Sequence, residues 1–153
     1  MSDEQKADRQ FAIQRIYTKD ISFESPNAPQ VFISEWEPKI NVDLSTEIQA
    51  LSDDTIQVVL TVNVVAKHED KTAFLVEVQQ AGIFLAKGFS EEELGPLMGI
   101  GAPNALYPYA REVVSDLITR GSFPQFTLQP VNFEQMYAHQ QMASKKESAE
   151  KTH

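Results

Sequence analysis

The chain has no cysteine among its 153 residues. This absence excludes disulfide bonds, thiolate metal ligands and a cysteine nucleophile. No apolar run approaches the roughly 20 residues that a membrane-spanning helix needs. The polar start, MSDEQKADRQ, lacks the apolar core of a secretory signal, so we expect a cytoplasmic protein. A hydrophobic content of 42% and a charged content of 23% are typical of one globular domain.

Basic residues are scarce. The chain has 13 Lys and Arg against 22 Asp and Glu, which gives a net charge of −9. Such a chain repels phosphate backbones and anionic membrane surfaces, so we expect no nucleic-acid partner and no membrane insertion. A basic protein partner would instead be attracted electrostatically.

Catalytic and cofactor motifs are also missing. The sequence contains no GxSxG, no HExxH and no Walker lysine, and GIGAPN at 99–104 lacks the GxGxxG spacing, so it is interpreted as a loop. His68, His139 and His153 have no convergent partners in the sequence and are interpreted as surface residues. We therefore expect no enzyme, no metal and no cofactor. A small-ligand-binding or enzymatic α+β domain with a pocket near residues 99–109 remains the alternative.

Four segments alternate between apolar and polar residues, which predicts β-strands. In the first, 11–24, one face is predicted to carry Phe11, Ile13, Tyr17, Ile21 and Phe23, with Ile16 as an exception. The segments 39–51, 55–67 and 72–86 follow, joined by short polar turns. Short turns predict antiparallel neighbours.

Helical periodicity appears only in the second half. It covers 106–120, with Gly121 as a stop signal, and resumes near Asn132. A short helical turn is predicted at 90–94, with Ser90 as its cap. The predicted fold is α+β, a four-stranded antiparallel sheet with two main helices packed on one side. The predicted boundaries are a flexible N-terminus at 1–10, a single domain at 11–143 and a disordered tail at 144–153.

Two features remain without a structural assignment. The proline-rich crossover segment 25–38 carries several apolar side chains, which either cap the core or form a groove for extended apolar segments of another chain. Asp20, Glu24 and Glu77 surround Leu75 on the polar face of the predicted sheet, which is either an ordinary solvated face or an acidic platform for a basic partner.

Four stretches of the sequence resemble the SecB family of protein-export chaperones. They are RIYTKDISFESPNAPQVF (15–32), AFLVEVQQAGIF (73–84), PNALYPYARE (103–112) and RGSFPQFTLQPVNF (120–133). With the strands between them, the resemblance covers residues 11 to about 140. It implies an ATP-independent holdase that binds unfolded precursor proteins, keeps them translocation-competent and delivers them to the SecA translocase motor. It also implies a homotetramer built as a dimer of dimers.

The resemblance implies roles for particular residues as well. SecA binding is implied for Asp20, Glu24, Leu75 and Glu77. The client-binding groove is implied for Trp36, Val42, Leu44, Tyr109 and Tyr137. Tetramer assembly is implied for Phe74, Val76, Val78 and Gln80.

The sequence departs from the family pattern at three places. Val76 stands where relatives often carry cysteine, and the 87–102 segment lacks the usual cysteines of the family. The tail of the family is acidic, whereas Lys145, Lys146 and Lys151 nearly neutralise this one, which removes the charge with which a tail would contact SecA.

Overall fold

A computed structural model describes residues 8–151 of the chain. The strands are β1 (Gln10–Glu24), β2 (Lys39–Ala50), β3 (Thr55–His68) and β4 (Lys71–Lys87). The helices are α1 (Glu91–Pro96), α2 (Ala102–Arg120) and α3 (Phe133–Lys151), with a π-helical segment, Leu97–Gly101, between the first two. In the described part of the chain, no helix combines the length and apolar character needed to cross a membrane.

The four strands form one antiparallel sheet in the order β1-β4-β3-β2. β3 and β4 are joined by Glu69 and Asp70, whose φ angles of 52° and 63° fit a two-residue hairpin turn. The crossover segment 25–38 carries the chain from β1 at one edge to β2 at the other. The predicted four-stranded antiparallel sheet with two main helices is confirmed.

One strand differs from its prediction in the direction of its side chains. Two register shifts in β1, between Ile13 and Arg15 and between Thr18 and Asp20, each insert an extra residue and so change the alternation. Ile16 therefore shares a face with Phe23, whereas Tyr17 lies on the opposite face, where its hydroxyl donates a hydrogen bond to Gln57. The prediction that Tyr17 lies on the same face of the sheet as Phe11 was wrong.

A helical layer covers one face of the sheet, which we call the inner face. α2 packs across β4 and β3 and reaches β1. Leu106, Ala110, Val114 and Ile118 are fully buried at helical spacing, so the predicted apolar stripe is confirmed. The apolar side chains of β3 and β4 on this face complete the core. The opposite, outer face of the sheet carries no helix within the described residues.

The glycine-rich stretch before α2 is helical and not a loop, which corrects the interpretation of 99–104. Ser90 caps α1 by accepting a hydrogen bond from the Glu93 amide, as predicted. The chain then continues through the π-helical segment into α2, where Pro103 lies in the first turn and needs no amide donor. Gly99 is required there for packing, since a Cβ atom would lie 2.5 Å from the Tyr137 ring.

The predicted ends of the domain also change. α3 continues through residues 144–151, so the prediction of a disordered tail from 144 was wrong for these residues. The segment SKKESAEK contains no glycine or proline and is rich in residues of high helix propensity. At the other end, Gln10 already begins β1, and residues 1–7 and 152–153 lie outside the described part of the chain.

Candidate binding surfaces

The outer face brings together the four residues predicted to bind SecA. In the register of β1 against β4, Glu24 lies directly opposite Leu75, Ser22 opposite Glu77 and Asp20 opposite Gln79. Directly opposite side chains on one face are about 5 Å apart at Cβ, and diagonal ones about 7–8 Å. Asp20, Glu24, Leu75 and Glu77 therefore form one continuous surface, which we call the acidic patch.

In residues 8–151, no ion pair neutralises a carboxylate of the acidic patch. Asp20 and Glu24 are exposed, and Leu75 and Glu77 are half-buried. Within residues 8–151, Arg9 forms an ion pair with Glu93 and Arg120 forms one with Asp116, and His68 Nε2 lies 3.9 Å from a Glu69 carboxylate oxygen. None of these contacts involves the patch. The patch thus offers three carboxylates and one apolar side chain on the outer face, with Leu75 at one end, opposite Glu24.

Two further acidic residues share this face and were not among the predicted site residues. Asp43 lies opposite Asn63, which in turn lies opposite Glu77, and Glu47 lies opposite Val59. Both carboxylates are exposed on β2. The alternation of β2 predicted that they share a polar face, but only the strand order reveals that this face continues the acidic patch.

Trp36 in the crossover segment belongs to an aromatic cluster. Its ring centroid lies 5.3 Å from that of Phe123, which lies 4.9 Å from Phe74 and 5.2 Å from Phe32. Phe74 is buried on β4, whereas Phe32 remains half-exposed. The cluster therefore anchors the crossover segment to the core and leaves part of its aromatic surface open.

His68 is buried, so its interpretation as a surface residue was wrong. Its ring stacks on Trp36 with 5.8 Å between centroids, and Nδ1 accepts a hydrogen bond of 3.3 Å from the Glu37 amide. The neutral tautomer that fits this hydrogen bond has the lone pair on Nδ1 and the proton on Nε2. This contact fixes the end of the crossover segment just before β2. His139 is exposed on α3, as predicted, and His153 lies outside the described residues.

An apolar strip runs along β2 on the inner face. Ile40 and Leu44 are half-buried, whereas Val42 and Ile48 are 41% and 51% exposed. α2 lies over β4 and β3, so β2 extends beyond the helix and is contacted by the π-helical segment. The predicted groove residues Val42 and Leu44 both lie on this strip.

The other predicted groove residues lie on the helices. Tyr137 packs against the end of α1 and the π-helical segment, where it fills the space left by Gly95 in α1 and Gly99 in the π-helical segment. The strip, the π-helical segment and Tyr137 are therefore neighbours. Tyr109 is 47% exposed on α2 and takes no part in the aromatic contacts around Trp36 among the described residues.

The residues predicted to govern tetramer assembly lie inside the chain. Phe74, Val76, Val78 and Gln80 are all buried on the inner face. Gln80 accepts a hydrogen bond of 3.1 Å from the Thr18 hydroxyl, which links β4 to β1. None of the four is available for direct contact with another chain, so any effect on assembly would act through the packing of the helical layer on the sheet.

The region near residues 99–109, where the alternative function would need a pocket, borders three open cavities of about 490, 450 and 360 Å³. The smallest of them is lined by Phe89, Glu93, Pro96, Leu97, Ile100 and Gly101. Tyr107 is buried nearby, and its hydroxyl donates to the Gln129 carbonyl. Burial raises the pKa of Tyr107 above its ordinary value of 10.0, and the positive charge of Arg111 lowers the pKa in part. In the described part of the chain, no three His, Asp or Glu side chains are grouped to hold a metal ion.

Comparisons with known proteins agree with the resemblance in the sequence. The family model described as preprotein translocase subunit SecB matches residues 4–144. The chain is 52% identical over 145 residues to the protein-export protein SecB of Methylococcus capsulatus. The aligned region covers 94% of this chain and 94% of that protein. It is 54% identical over 140 residues to the protein-export protein SecB of Hahella chejuensis. This aligned region covers 90% of this chain and 88% of that protein.

A solved structure has the same fold at much lower sequence identity. It is a SecB-like chaperone from Mycobacterium tuberculosis in complex with a ChAD peptide from the HigA1 antitoxin. The match has a TM-score of 0.67 and 20% identity, and it covers 82% of this chain and 92% of that one. At this identity the likeness concerns the fold alone.

Proposed function

The chain belongs to the SecB family of protein-export chaperones, and from this premise we propose which of its surfaces carry out the steps of export. As a family member it is a non-enzymatic holdase that delivers precursor proteins to the SecA motor. Such a protein needs one surface for unfolded chains and another for the motor, and both must be usable at the same time. We propose that the two faces of the sheet divide these tasks, with the cytoplasm as the place of action.

The acidic patch is the proposed SecA-binding surface. The observation that carries this assignment is that its carboxylates share one face with Leu75 and have no ion-pair partner within the described residues. A basic surface on the motor would be attracted over a distance by these charges, and Leu75 would supply apolar contact beside Glu24 at one end of the patch. Asp43 and Glu47 extend the same negative face and are expected to strengthen this attraction.

A charge reversal tests this assignment. Glu77→Lys is expected to weaken SecA binding roughly tenfold, because an attractive charge becomes a repulsive one. Binding of an unfolded precursor is expected to stay unchanged, since Glu77 lies on the face opposite the apolar strip. Glu112→Lys on α2 makes the same change in net charge on the helical side and serves as the control. Isothermal titration with each partner measures both affinities, and equal loss of both with Glu77→Lys would contradict the assignment.

The apolar strip of β2, together with Trp36 and Tyr137, is the proposed client-binding groove. A holdase binds many sequences, so apolar area and backbone hydrogen bonds suit it better than a shaped pocket. Half-exposed aromatic rings add contact area at low entropic cost. Tyr109 is proposed as a more distant contact for a client that extends along α2.

We further propose that the chain assembles as a tetramer, a dimer of dimers. Phe11, Ile13 and Ile21 on β1 are each more than 40% exposed and lie at the edge of the sheet away from β2. Burial of three such side chains between copies would contribute several kcal/mol, at about 25 cal/mol per Å². Phe74, Val76, Val78 and Gln80 would influence assembly by setting the position of α2.

A further inference from the structure

The crossover segment is tied to the sheet near both of its ends. Within residues 8–151, three side-chain hydrogen bonds make this link. They join Ser25 Oγ to the Ala73 carbonyl, Asn27 Nδ2 to the Thr72 carbonyl and the Glu37 amide to His68 Nδ1, over 3.1, 2.7 and 3.3 Å. Of these six groups, only the imidazole of His68 changes its protonation near neutral pH. The link at the end of the segment is therefore the one that pH can change.

The two ring nitrogens of His68 face different partners. Nδ1 accepts the hydrogen bond from the Glu37 amide, and Nε2 lies 3.9 Å from a carboxylate oxygen of Glu69. Nε2 is buried and has no hydrogen-bond partner in the described part of the chain. Glu69 is exposed in the hairpin turn between β3 and β4, so its side chain can move towards Nε2. One partner thus suits the neutral ring and the other suits the charged ring.

The charged groups around His68 come from several elements. They are Glu35 and Glu37 in the crossover segment, Lys39 at the start of β2, Lys67 in β3, Glu69 and Asp70 in the hairpin turn, and Lys71, opposite His68, on β4. Among the carboxylates of this described region, that of Glu69 is the one that approaches a ring nitrogen. A cavity of about 230 Å³ beside His68, which Glu69 and Lys71 also line, gives protons a route from the solvent.

The ring of His68 also supports Trp36, the residue directly before Glu37. The two rings stack with 5.8 Å between their centroids. On its other sides, Trp36 contacts Phe123 and the buried Phe74. His68 therefore holds Trp36 in two ways, through ring contact and through the backbone amide of the next residue. A change at Nδ1 alters the second of these contacts directly.

We propose that His68 is a pH-dependent positioning residue for Trp36. The neutral ring holds the Glu37 amide and fixes Trp36 at the client-binding groove, and the protonated ring releases this amide. Protonation adds a hydrogen to Nδ1, so two N–H groups face each other and the hydrogen bond cannot form. The positive charge is attracted instead to the carboxylate of Glu69. The consequence for clients rests on the proposed function, whereas the release of the amide does not.

Two measurements on the native protein follow this contact directly. Exchange of the Glu37 amide hydrogen, corrected for the intrinsic effect of pH, is expected to be slowed at pH 7.5 and not at pH 5.5, on either side of about 6.5, where histidine ordinarily titrates. Trp36 is the only tryptophan of the chain, so its fluorescence is expected to change over the same interval. Unchanged exchange and unchanged fluorescence would overturn the proposal.

Three variants assign the change to His68. In His68→Gln the side-chain carbonyl can accept the Glu37 amide at any pH, so the fluorescence transition is expected to disappear. His68→Phe keeps a ring beside Trp36 but has no acceptor, and fast exchange of the Glu37 amide is expected at both pH values. His139→Gln removes an exposed histidine on α3 and is the control, with the transition retained. A transition that persists in His68→Gln would refute the assignment to His68.

A permanently unfolded polypeptide without histidine tests the consequence for clients. Its affinity for the native protein is expected to fall about fivefold more between pH 7.5 and pH 5.5 than its affinity for His68→Gln, because one hydrogen bond is lost. Equal pH profiles for the two proteins would show that His68 does not position Trp36 for clients. Absence of binding at both pH values would contradict the proposed function itself, and amide exchange would still decide whether His68 releases Glu37.

Discussion

At the scale of single residues, the sequence neighbours of a side chain do not always predict whether it is buried or which face of the sheet it lies on. His68 follows a regular strand and precedes a polar turn, so its sequence indicates exposure, yet Trp36 from a distant segment covers its ring. Tyr17 was misplaced because a bulge between Ile13 and Arg15 shifts the alternation, and its mark in the sequence is that Ile16 departs from the apolar face. By contrast, Asp20, Glu24, Leu75 and Glu77 were grouped correctly on one face.

Val76 provides a test of the inner face. It is 2% exposed beneath α2 and lies opposite Phe23 on one side and Val64 on the other. Val76→Asp buries a carboxylate without a partner and is expected to lower the free energy of unfolding by about 3–5 kcal/mol and to break up the assembly. Urea denaturation and native mass measure the two effects. Val76→Ala leaves only a cavity and is expected to lower the free energy of unfolding by less. An unchanged native mass in Val76→Asp would contradict the expected effect on assembly.

Tyr107 is expected to make the stability of the folded chain depend on pH in the alkaline range. Burial raises its pKa above 10.0 in the folded chain, so the folded state holds the phenol proton more tightly than the unfolded state does. The resulting contribution to stability is complete below pH 10 and declines as the pH rises towards the folded pKa. Tyr107→Phe is expected to cost about 1 kcal/mol at neutral pH, because the hydrogen bond to Gln129 is lost.

The same variant is expected to lose less stability between neutral pH and pH 11 than the wild type does. Urea denaturation at several pH values measures this difference. Parallel stability curves for the two proteins would contradict the role assigned to Tyr107.

At the scale of elements, β2, β3 and β4 could be predicted because their alternation is uninterrupted and their turns are short. The helical segment before α2 could not, since four glycines and a proline between 88 and 101 indicate a loop. In the structure, glycine serves there for close packing of Tyr137 from α3. Exposure of the apolar strip was likewise beyond sequence analysis, because it depends on α2 lying over β4 and β3 and not over β2.

The contact between Tyr137 and the π-helical segment can be tested with two alanine substitutions. A Cβ atom at Gly99 would lie 2.5 Å from Tyr137 Cδ2, so Gly99→Ala is expected to displace the ring and cost about 1–3 kcal/mol. At Gly101 the nearest atom, Leu97 Cδ1, would lie 3.7 Å away, an ordinary contact. Gly101→Ala is therefore the matched control.

Hydrogen exchange of the α3 amides and urea denaturation report the result. Faster exchange in α3 is expected for Gly99→Ala and not for Gly101→Ala. Equal exchange in both variants would mean that Tyr137 does not hold α3 in place.

At the scale of the whole molecule, the sheet separates two kinds of surface. The outer face carries the acidic patch, and the inner face leaves an apolar strip beside the helical layer. The two surfaces are on opposite sides of one sheet, so in the proposed assignment a bound client would leave the acidic patch open to SecA. Nothing in such a mechanism requires nucleotide hydrolysis, since release follows from transfer to the motor.

The most direct test of this account is a titration of the native protein with one permanently unfolded polypeptide, with light scattering on the same samples. We expect saturable binding, without nucleotide, by a particle with the mass of four chains. A monomer that does not bind the unfolded polypeptide would contradict it.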